Sequence, residues 1–179
     1  IKKKLISKIL NFNIRILELN YLGNIVKLDN NFEFDSLFRR ENTYNDYQNS
    51  ISVSNILITG GGGSIGSEIV EQISLYNFNS LTVIDISEFN LYTIKEKLIK
   101  TKNSHKIKFV LADIKNFTLM DSLLKINNVD IVYHAAAYKH VPILEENILS
   151  AIDNNFFATL GFADICLKNN INKFILISS

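Results

Sequence analysis

Residues 56–66 read ILITGGGGSIG and place a glycine-rich turn between an apolar run and an amphipathic one. In the pattern T-G-x-x-G-x-x-G the fixed glycines are Gly60, Gly63 and Gly66. Gly60 lets the chain turn sharply out of a strand, Gly63 leaves room for a pyrophosphate beside the backbone, and Gly66 lets a helix pack close on a sheet. The turn therefore predicts a strand, a phosphate-binding loop and a helix, in that order.

The first turn of the predicted helix supplies the donors for such a phosphate. The N–H groups of Ser64, Ile65 and Gly66 have no partner inside a helix that begins there, and the helix dipole favours an anion beside them. A flexible linker would also contain consecutive glycines, but the flanking strand and helix favour the phosphate loop. The Gly-Lys-Ser/Thr ending of a P-loop is missing, which disfavours an ATPase.

Apolar runs alternate with helical patterns from this turn to the end of the chain. The predicted strands are Asn55–Thr59, Leu81–Asp85, Lys106–Leu111, Asp130–Ala136 and Lys173–Ser178. The predicted helices are Ser64–Tyr76, Ser87–Lys100, Phe117–Lys125 and Leu149–Asn169. Strands that are apolar almost throughout, separated by helices, indicate a parallel sheet covered on both faces. Right-handed crossovers then predict an α/β fold, a doubly wound (Rossmann) parallel sheet in the order 3-2-1-4-5.

The chain divides near residue 54. Residues 1–54 are predicted to be an N-terminal arm or linker, because residues 30–54 are polar and the zone lacks apolar residues for a core, although Asn13–Leu19 fits a short strand. Residues 55–179 form the dinucleotide-binding domain. The chain starts at Ile1 and stops in a predicted buried strand, so we expect it to be a fragment of a longer protein.

Composition narrows the class of protein. Hydrophobic residues make up 47% and charged residues 21%, as in a globular protein. The net charge of +1 predicts no nucleic-acid partner. A single cysteine, Cys166, excludes an internal disulfide and fits a reducing cytoplasm. His105, His134 and Cys166 lack metal-ligand spacing, so we interpret all three as structural and predict no metal site. No apolar run approaches the roughly 18 residues that span a bilayer.

Acidic residues at two strand ends extend the predicted dinucleotide site. Asp85 ends the second strand about 20 residues beyond the turn, where a carboxylate binds the ribose hydroxyls of an adenosine and repels a 2′-phosphate. The predicted cofactor is therefore NAD rather than NADP. Ser87 caps the next helix beside it. Asp113 and Ile114 follow the third strand, next to the predicted adenine, although Asp113 is equally suited to cap the following helix.

The predicted fourth strand ends in small residues. Ala135, Ala136 and Ala137 would let a ribose and a nicotinamide lie against the strand end, and plain close packing would favour the same residues.

Three segments together resemble one family. They are TGGGGSIG at 59–66, DISEFNLY at 85–92 and HAAAYKHVP at 134–142. They resemble the extended short-chain dehydrogenases/reductases and, more narrowly, the CapD-like UDP-N-acetylglucosamine 4,6-dehydratases of bacterial polysaccharide biosynthesis. DNNFFAT at 153–159 is similar to the family's N-N-x-x-G-T segment, with Ala158 in place of Gly. The resemblance covers 55–179, and residues 13–54 more loosely resemble a region that follows a membrane portion in larger members.

The resemblance implies a nucleotide-sugar 4,6-dehydratase that converts a UDP-N-acetylhexosamine to a 4-keto-6-deoxy sugar. Hydride leaves C4 of the sugar for NAD, a proton leaves C5, water leaves from C6, and the hydride returns to C6. In the family, the carboxylate and lysines for these steps follow the fifth strand, so we expect this chain alone to be inactive. A nucleotide-sugar 4-epimerase or reductase of the same superfamily and a non-catalytic dinucleotide-binding fragment stay open.

The resemblance also assigns residues on the sugar side. Ser179 stands where the family has the catalytic hydroxyl that polarises the substrate O4, although a turn Ser is an alternative. The substrate-adjacent residues are Lys139, His140, Glu145, Asn155 and Ser178. Solvated side chains are the alternative for Lys139, His140 and Glu145. In the family, the amide at Asn155 orders the end of the fifth strand beneath the site.

A UDP-sugar is therefore the predicted substrate. A homo-oligomer and a membrane anchor upstream of Ile1 stay open. The predicted location is the cytoplasm, at the inner face of the bacterial membrane in a full-length protein.

Overall fold

The computed structural model of the chain describes the backbone of residues 17–18 and 51–178 and the side chains of residues 51–177. Most of the predicted arm 1–54 and the predicted catalytic Ser179 lie outside the described residues. The side chain of Ser178 is likewise outside them.

One parallel sheet organises the described residues. Its strands are β1 (Leu17–Glu18), β2 (Asn55–Thr59), β3 (Ser80–Asp85), β4 (Ile107–Leu111), β5 (Ile131–His134) and β6 (Lys173–Ser178). Their order is β1-β6-β5-β2-β3-β4. For the strands from β2 onward this is the predicted order 3-2-1-4-5, which is confirmed. The two-residue β1 pairs parallel with β6 and falls inside the strand predicted over Asn13–Leu19.

Helices cover the sheet on both sides. They are α1 (Ser64–Ser74), α2 (Glu88–Leu98), α3 (Phe117–Ile126), α4 (Val141–Glu146), α5 (Ile148–Ile152) and α6 (Thr159–Lys168), with a 3₁₀ turn at Ser104–Lys106. The first three agree with the predicted helices to within about two residues at each end. In residues 51–178 no helix is both long and apolar enough to cross a membrane.

The region after β5 is where the predicted secondary structure is wrong. The helix predicted over Leu149–Asn169 is broken into α5, a π-helical turn at Asp153–Ala158, and α6. The apolar residues keep a helical spacing across the break, so their pattern does not show the wider turn. Helix α4 was not predicted because it is short and carries no buried face.

The core lies on the two faces of the sheet. Side chains alternate along each strand, so Ile56 and Ile58 face α1 and α2, whereas Leu57 faces α3 and α6. Because all strands run parallel, their carboxyl ends meet at one edge. The glycine-rich turn leaves the central strand β2 at this edge, where the chain order reverses between β3 and β5.

Candidate functional site

The glycine-rich turn is held in one conformation by backbone contacts. Gly60 has φ +66°, a left-handed conformation that a side chain would strain. The N–H of Gly61 donates to the carbonyl of Ile84 at 3.0 Å, and the N–H of Gly63 donates to the carbonyl of Gly60 at 3.1 Å. A turn tied to the neighbouring strand in this way is not a flexible linker.

Four of the five glycines in this turn are required by their neighbours. A Cβ at Gly60 would lie 2.6 Å from the backbone nitrogen of Ala136, and one at Gly66 would overlap the carbonyl of Gly60. A Cβ at Gly61 would overlap the side chain of Val83. At Gly62 it would lie 2.5 Å from the Cβ of Asn90. Gly61 and Gly62 are therefore needed because they lack a side chain, and not only for the backbone freedom that a run of glycines provides.

Gly63 differs from the other four. Among residues 51–177, a Cβ there would approach only the carbonyl oxygen of Gly60, at 3.3 Å, which is a tight contact but not an overlap. Its φ of −70° is one that any residue adopts. The backbone and the packing of the described residues therefore demand glycine less strongly here than at the other four positions. The open side of Gly63 leaves space beside the backbone that would fit a pyrophosphate.

Helix α1 presents its amino end to the same space. Gly63 is its N-cap and has no side chain to cap it, and Ser67 is the first residue whose N–H bonds back to Gly63, at 2.8 Å. The N–H groups of Ser64, Ile65 and Gly66 come earlier and have no partner four residues back in the helix. Together with the helix dipole, they suit an anion, so the residues present fit a bound dinucleotide.

Asp85 joins the glycine turn to α2. Its Oδ2 accepts the N–H of Gly62 at 2.9 Å, and its Oδ1 accepts the N–H of Ser87 at 2.9 Å. The hydroxyl of Ser87 in turn accepts the N–H of Asn90 at 3.3 Å, so the predicted N-cap of α2 is confirmed. Asp85 is buried, which excludes a solvated acid at a strand end. Each carboxylate oxygen keeps a second lone pair for a ligand hydroxyl.

The loop after β4 places Asp113 next along the edge. Its Oδ1 accepts the N–H of Lys115 at 2.9 Å. Asn116, and not Asp113, caps α3, because its Oδ1 accepts the N–H of Leu119. The capping interpretation of Asp113 is therefore wrong. The side chain of Ile114 is buried in the core, which leaves its backbone as the part that can contact a ligand.

A buried histidine lies beneath the site. The ring of His134 contacts the hydroxyl of Thr59 through Nδ1 at 2.6 Å and that of Thr159 through Nε2 at 2.9 Å. The ring also packs on Phe162 and Phe174. Burial lowers the pKa of His134 to about 4, so the ring is neutral near pH 7. It fixes the end of β5 just before the three alanines, in the structural role predicted for it.

The low pKa of His134 makes the stability depend on pH. From about pH 6.5 down to about pH 4 the unfolded chain takes up a proton that the folded chain resists, so the free energy of unfolding falls. We expect this residue to contribute about 3 kcal/mol of that fall. NMR should give a midpoint near 4 for the ring, and urea unfolding of His134→Asn should show a shallower pH dependence than wild type. Equal slopes for the two proteins would contradict the assignment.

The substrate-adjacent residues lie beyond the three alanines. Lys139 and His140 are exposed, and His140 is the N-cap of α4. Glu145 lines an apolar groove of about 440 Å³ formed by α4, α5 and the π turn. All three follow β5 in the chain, whereas Asp85 ends β3.

Asn155 has partners other than those implied by the family. Its Oδ1 accepts the N–H of Tyr138 at 2.8 Å, and its Nδ2 donates to the carbonyl of Tyr138 at 2.9 Å. It therefore orders the loop after β5, because Tyr138 lies past the end of its strand and its backbone groups need a partner outside the sheet. The predicted role beneath the end of β6 concerns the side chains of Ser178 and Ser179, which lie outside the described residues.

Most of the predicted cofactor residues lie together at the carboxyl end of the sheet. The glycine turn, Asp85, Ser87 and the three alanines gather around the carboxyl end of β2, with Asp113 one strand further out. Among residues 51–177 no three metal-ligating side chains come together. The sequence reasoning missed the contact of Asn90 with the turn and the link between Lys115 and Asp153. Of these, Asn90 had a signal, because it stands three residues after the N-cap Ser87.

Comparison with known proteins extends this description. Residues 56–179 match the family described as polysaccharide biosynthesis protein. The capsular polysaccharide biosynthesis protein CapD of Staphylococcus aureus is 39% identical over 126 residues, which are 69% of this chain and 21% of that protein. An uncharacterized membrane protein of Methanocaldococcus jannaschii is 36% identical over 137 residues, which are 76% of this chain and 39% of that protein.

A solved structure shares the fold. It is the UDP-glucose 4-epimerase from Bifidobacterium longum in complex with NAD+ and UDP, which is 26% identical, with a TM-score of 0.59 over 69% of this chain and 36% of that chain. The chain thus spans less than two fifths of the length of each of these proteins. The family match runs from β2 to the end of the chain and includes the glycine turn and Asp85. The chain therefore belongs to the polysaccharide biosynthesis family of extended short-chain dehydrogenases/reductases.

Proposed function

We propose that the chain binds NAD at the glycine turn and forms the cofactor-binding part of a nucleotide-sugar 4,6-dehydratase that acts on a UDP-N-acetylhexosamine. The observation that carries the cofactor assignment is the open side of Gly63, next to the first N–H groups of α1, which have no partner four residues back in the helix. The likeness to CapD and the motifs around Asp85 and His134 support a sugar of polysaccharide biosynthesis. The solved epimerase with NAD+ and UDP supports a UDP-linked substrate.

Each part of the site then has a task. The N–H groups of Ser64, Ile65 and Gly66 hold the pyrophosphate, and the carboxylate of Asp85 accepts the hydroxyls of the adenosine ribose. The three alanines at 135–137 leave space for the nicotinamide at the end of β5. When bound, NAD supplies a hydride acceptor that also returns the hydride. The neutral ring of His134 keeps β2 and β5 in register beneath these groups.

The proposed sugar side of the site lies beyond the three alanines. Lys139 and His140 follow the three alanines and present donors to the diphosphate or the sugar, and Ser179 would donate its hydroxyl to O4. Glu145 and Ser178 stay substrate-adjacent. The buried free thiol of Cys166 fits a reducing cytoplasm, which we propose as the location.

Product analysis would separate the dehydratase from its alternatives. The protein encoded by the complete reading frame should be incubated with UDP-N-acetylglucosamine, and the sugar followed by mass spectrometry and NMR. Loss of one water with a new C4 ketone supports the dehydratase. A C4-inverted sugar of unchanged mass would replace it with the 4-epimerase. If the protein binds NAD but converts the sugar to neither product, it is a dinucleotide-binding protein without either enzyme activity.

Asp85 is expected to set the preference for NAD over NADP. Its carboxylate would repel a 2′-phosphate, so Asp85→Asn should narrow the ratio of the two affinities by about tenfold, measured by calorimetry. Asp113→Asn is the matched control, because it changes a carboxylate on the base side and should weaken both cofactors about equally. An unchanged ratio in Asp85→Asn would remove this residue from the ribose site.

A further inference from the structure

Three charged side chains link two loops at the carboxyl edge of the sheet. Asp113 and Lys115 lie in the loop after β4, and Asp153 opens the π turn after α5. The ammonium of Lys115 donates to Oδ2 of Asp153 at 3.1 Å, whereas it lies 4.0 Å from Oδ2 of Asp113. The hydrogen bond to Asp153 is also the main reason that the pKa of Lys115 is raised. Lys115 therefore donates its hydrogen bond to the more distant loop and keeps only a longer ion pair with Asp113.

The two carboxylate oxygens of Asp113 therefore differ in their hydrogen bonds. Oδ1 accepts the backbone N–H of Lys115 at 2.9 Å, which fixes the direction of the carboxylate. Oδ2 has no hydrogen bond to any group in residues 51–177. The Asp113 side chain is about one third exposed, at 34%, so a ligand can reach this oxygen. An ionised carboxylate oxygen only accepts, so it suits a ligand that offers an N–H donor.

We propose that Asp153 is a positioning residue, which holds the Lys115 ammonium beyond hydrogen-bond distance of Asp113, at 4.0 Å, and so keeps Oδ2 of Asp113 available to the amino group of adenine. The inference rests on the proposed binding of NAD at this edge. The ligand class is an adenosine, whose base carries an exocyclic N–H₂ donor. Without Asp153, the flexible Lys115 side chain would turn to Asp113, its nearest remaining carboxylate, and compete with the base.

The cluster acts on recognition and contributes little to folding. The Lys115 and Asp153 side chains are 39% and 59% exposed, and ion pairs of this kind contribute at most about 1 kcal/mol to stability. Variants of either residue should therefore fold. The Lys97–Glu71 pair is a matched control, because its distance is 2.8 Å, its side chains are 56% and 36% exposed, and it lies in neither loop of the cluster.

The test compares NAD with its analogue in which hypoxanthine replaces adenine, by calorimetry at low ionic strength. An oxygen acceptor stands in hypoxanthine where adenine has the amino group, so wild type should prefer NAD by roughly three- to tenfold. Asp153→Asn should remove most of this preference. Adding Lys115→Met to Asp153→Asn should restore it, because the competing ammonium is gone. Glu71→Gln should keep the wild-type preference.

The outcomes separate this inference from the proposed function. If wild type binds NAD but Asp153→Asn keeps the full preference for adenine, Asp153 has no positioning role, although NAD binding stands. If the preference is lost and Lys115→Met does not restore it, the effect is structural and the inference fails. If wild type binds neither dinucleotide, the inference and the proposed function fail together.

Discussion

Gly63→Val is expected to abolish measurable NAD binding while the chain stays folded. The Val side chain would fill the space beside the first turn of α1, where the N–H groups of residues 64–66 would otherwise reach the phosphates. Losing several charge-assisted hydrogen bonds should weaken NAD by at least about 100-fold. Since the φ of Gly63 suits any residue, we expect a loss of about 1 kcal/mol in unfolding free energy, mostly from a poorer N-cap. Calorimetry and urea unfolding measure the two quantities.

Two companions make this experiment decisive. Gly63→Ala should weaken NAD by less than Gly63→Val, because a methyl group fills only part of the space. Gln72→Val places the same side chain on the exposed face of α1 and should leave NAD binding as in wild type. Wild-type affinity in Gly63→Val would show that the pyrophosphate does not pass this residue.

Gly66→Ala is expected to destabilise the fold itself. The added methyl would overlap the carbonyl of Gly60 and lie 2.8 Å from its carbon, and both are backbone atoms that cannot rotate away. Overpacking of this kind costs about 1–3 kcal/mol, against a gain of about 1 kcal/mol from replacing a helical glycine. Because the clash is with backbone, we expect the upper end, a net loss of about 2 kcal/mol or more in urea unfolding. NAD affinity should fall as well, since the turn must move.

Gly161→Ala is the matched control for this prediction. It makes the same change in a helix, but the atoms nearest to the methyl would belong to the ring of Phe117, which is 40% exposed and can move aside. We expect a change within about 1 kcal/mol and wild-type NAD affinity. If Gly66→Ala and Gly161→Ala were equally mild, α1 would not need its close approach to Gly60.

Most of the fold could be predicted because its signals are local. Ile56, Leu57 and Ile58 are buried on alternating faces, and the helix after the glycine turn begins at the expected Ser64. Asp85 was placed beside the turn by spacing alone, and the structure bonds it to Gly62. The strand order of the parallel sheet could be predicted because right-handed crossovers depend on the path of the chain and not on single residues.

The parts that could not be predicted depend on contacts between distant segments. The π turn at Asp153–Ala158 interrupts an apolar pattern that continues on both sides, and Asn155 meets Tyr138 only in the folded chain. Lys115 and Asp153 are ordinary surface residues in sequence, 38 positions apart, and no local pattern pairs them. The sequence allowed two roles for Asp113, because Asn116, the residue that caps α3, lies only three positions further along the chain.

The two hydrogen bonds that Asp85 accepts also bear on how the cofactor preference of this protein could evolve. A substitution that removes the negative charge of Asp85 would no longer repel a 2′-phosphate. The same substitution removes an acceptor for the N–H groups of Gly62 and Ser87. Both hydrogen bonds are half-buried, so losing one should cost about 1 kcal/mol, which is a noticeable part of the stability of a small domain. If the proposed preference for NAD holds, a lineage that changed to NADP would pass through a less stable intermediate, unless a compensating change in the turn or in α2 came first.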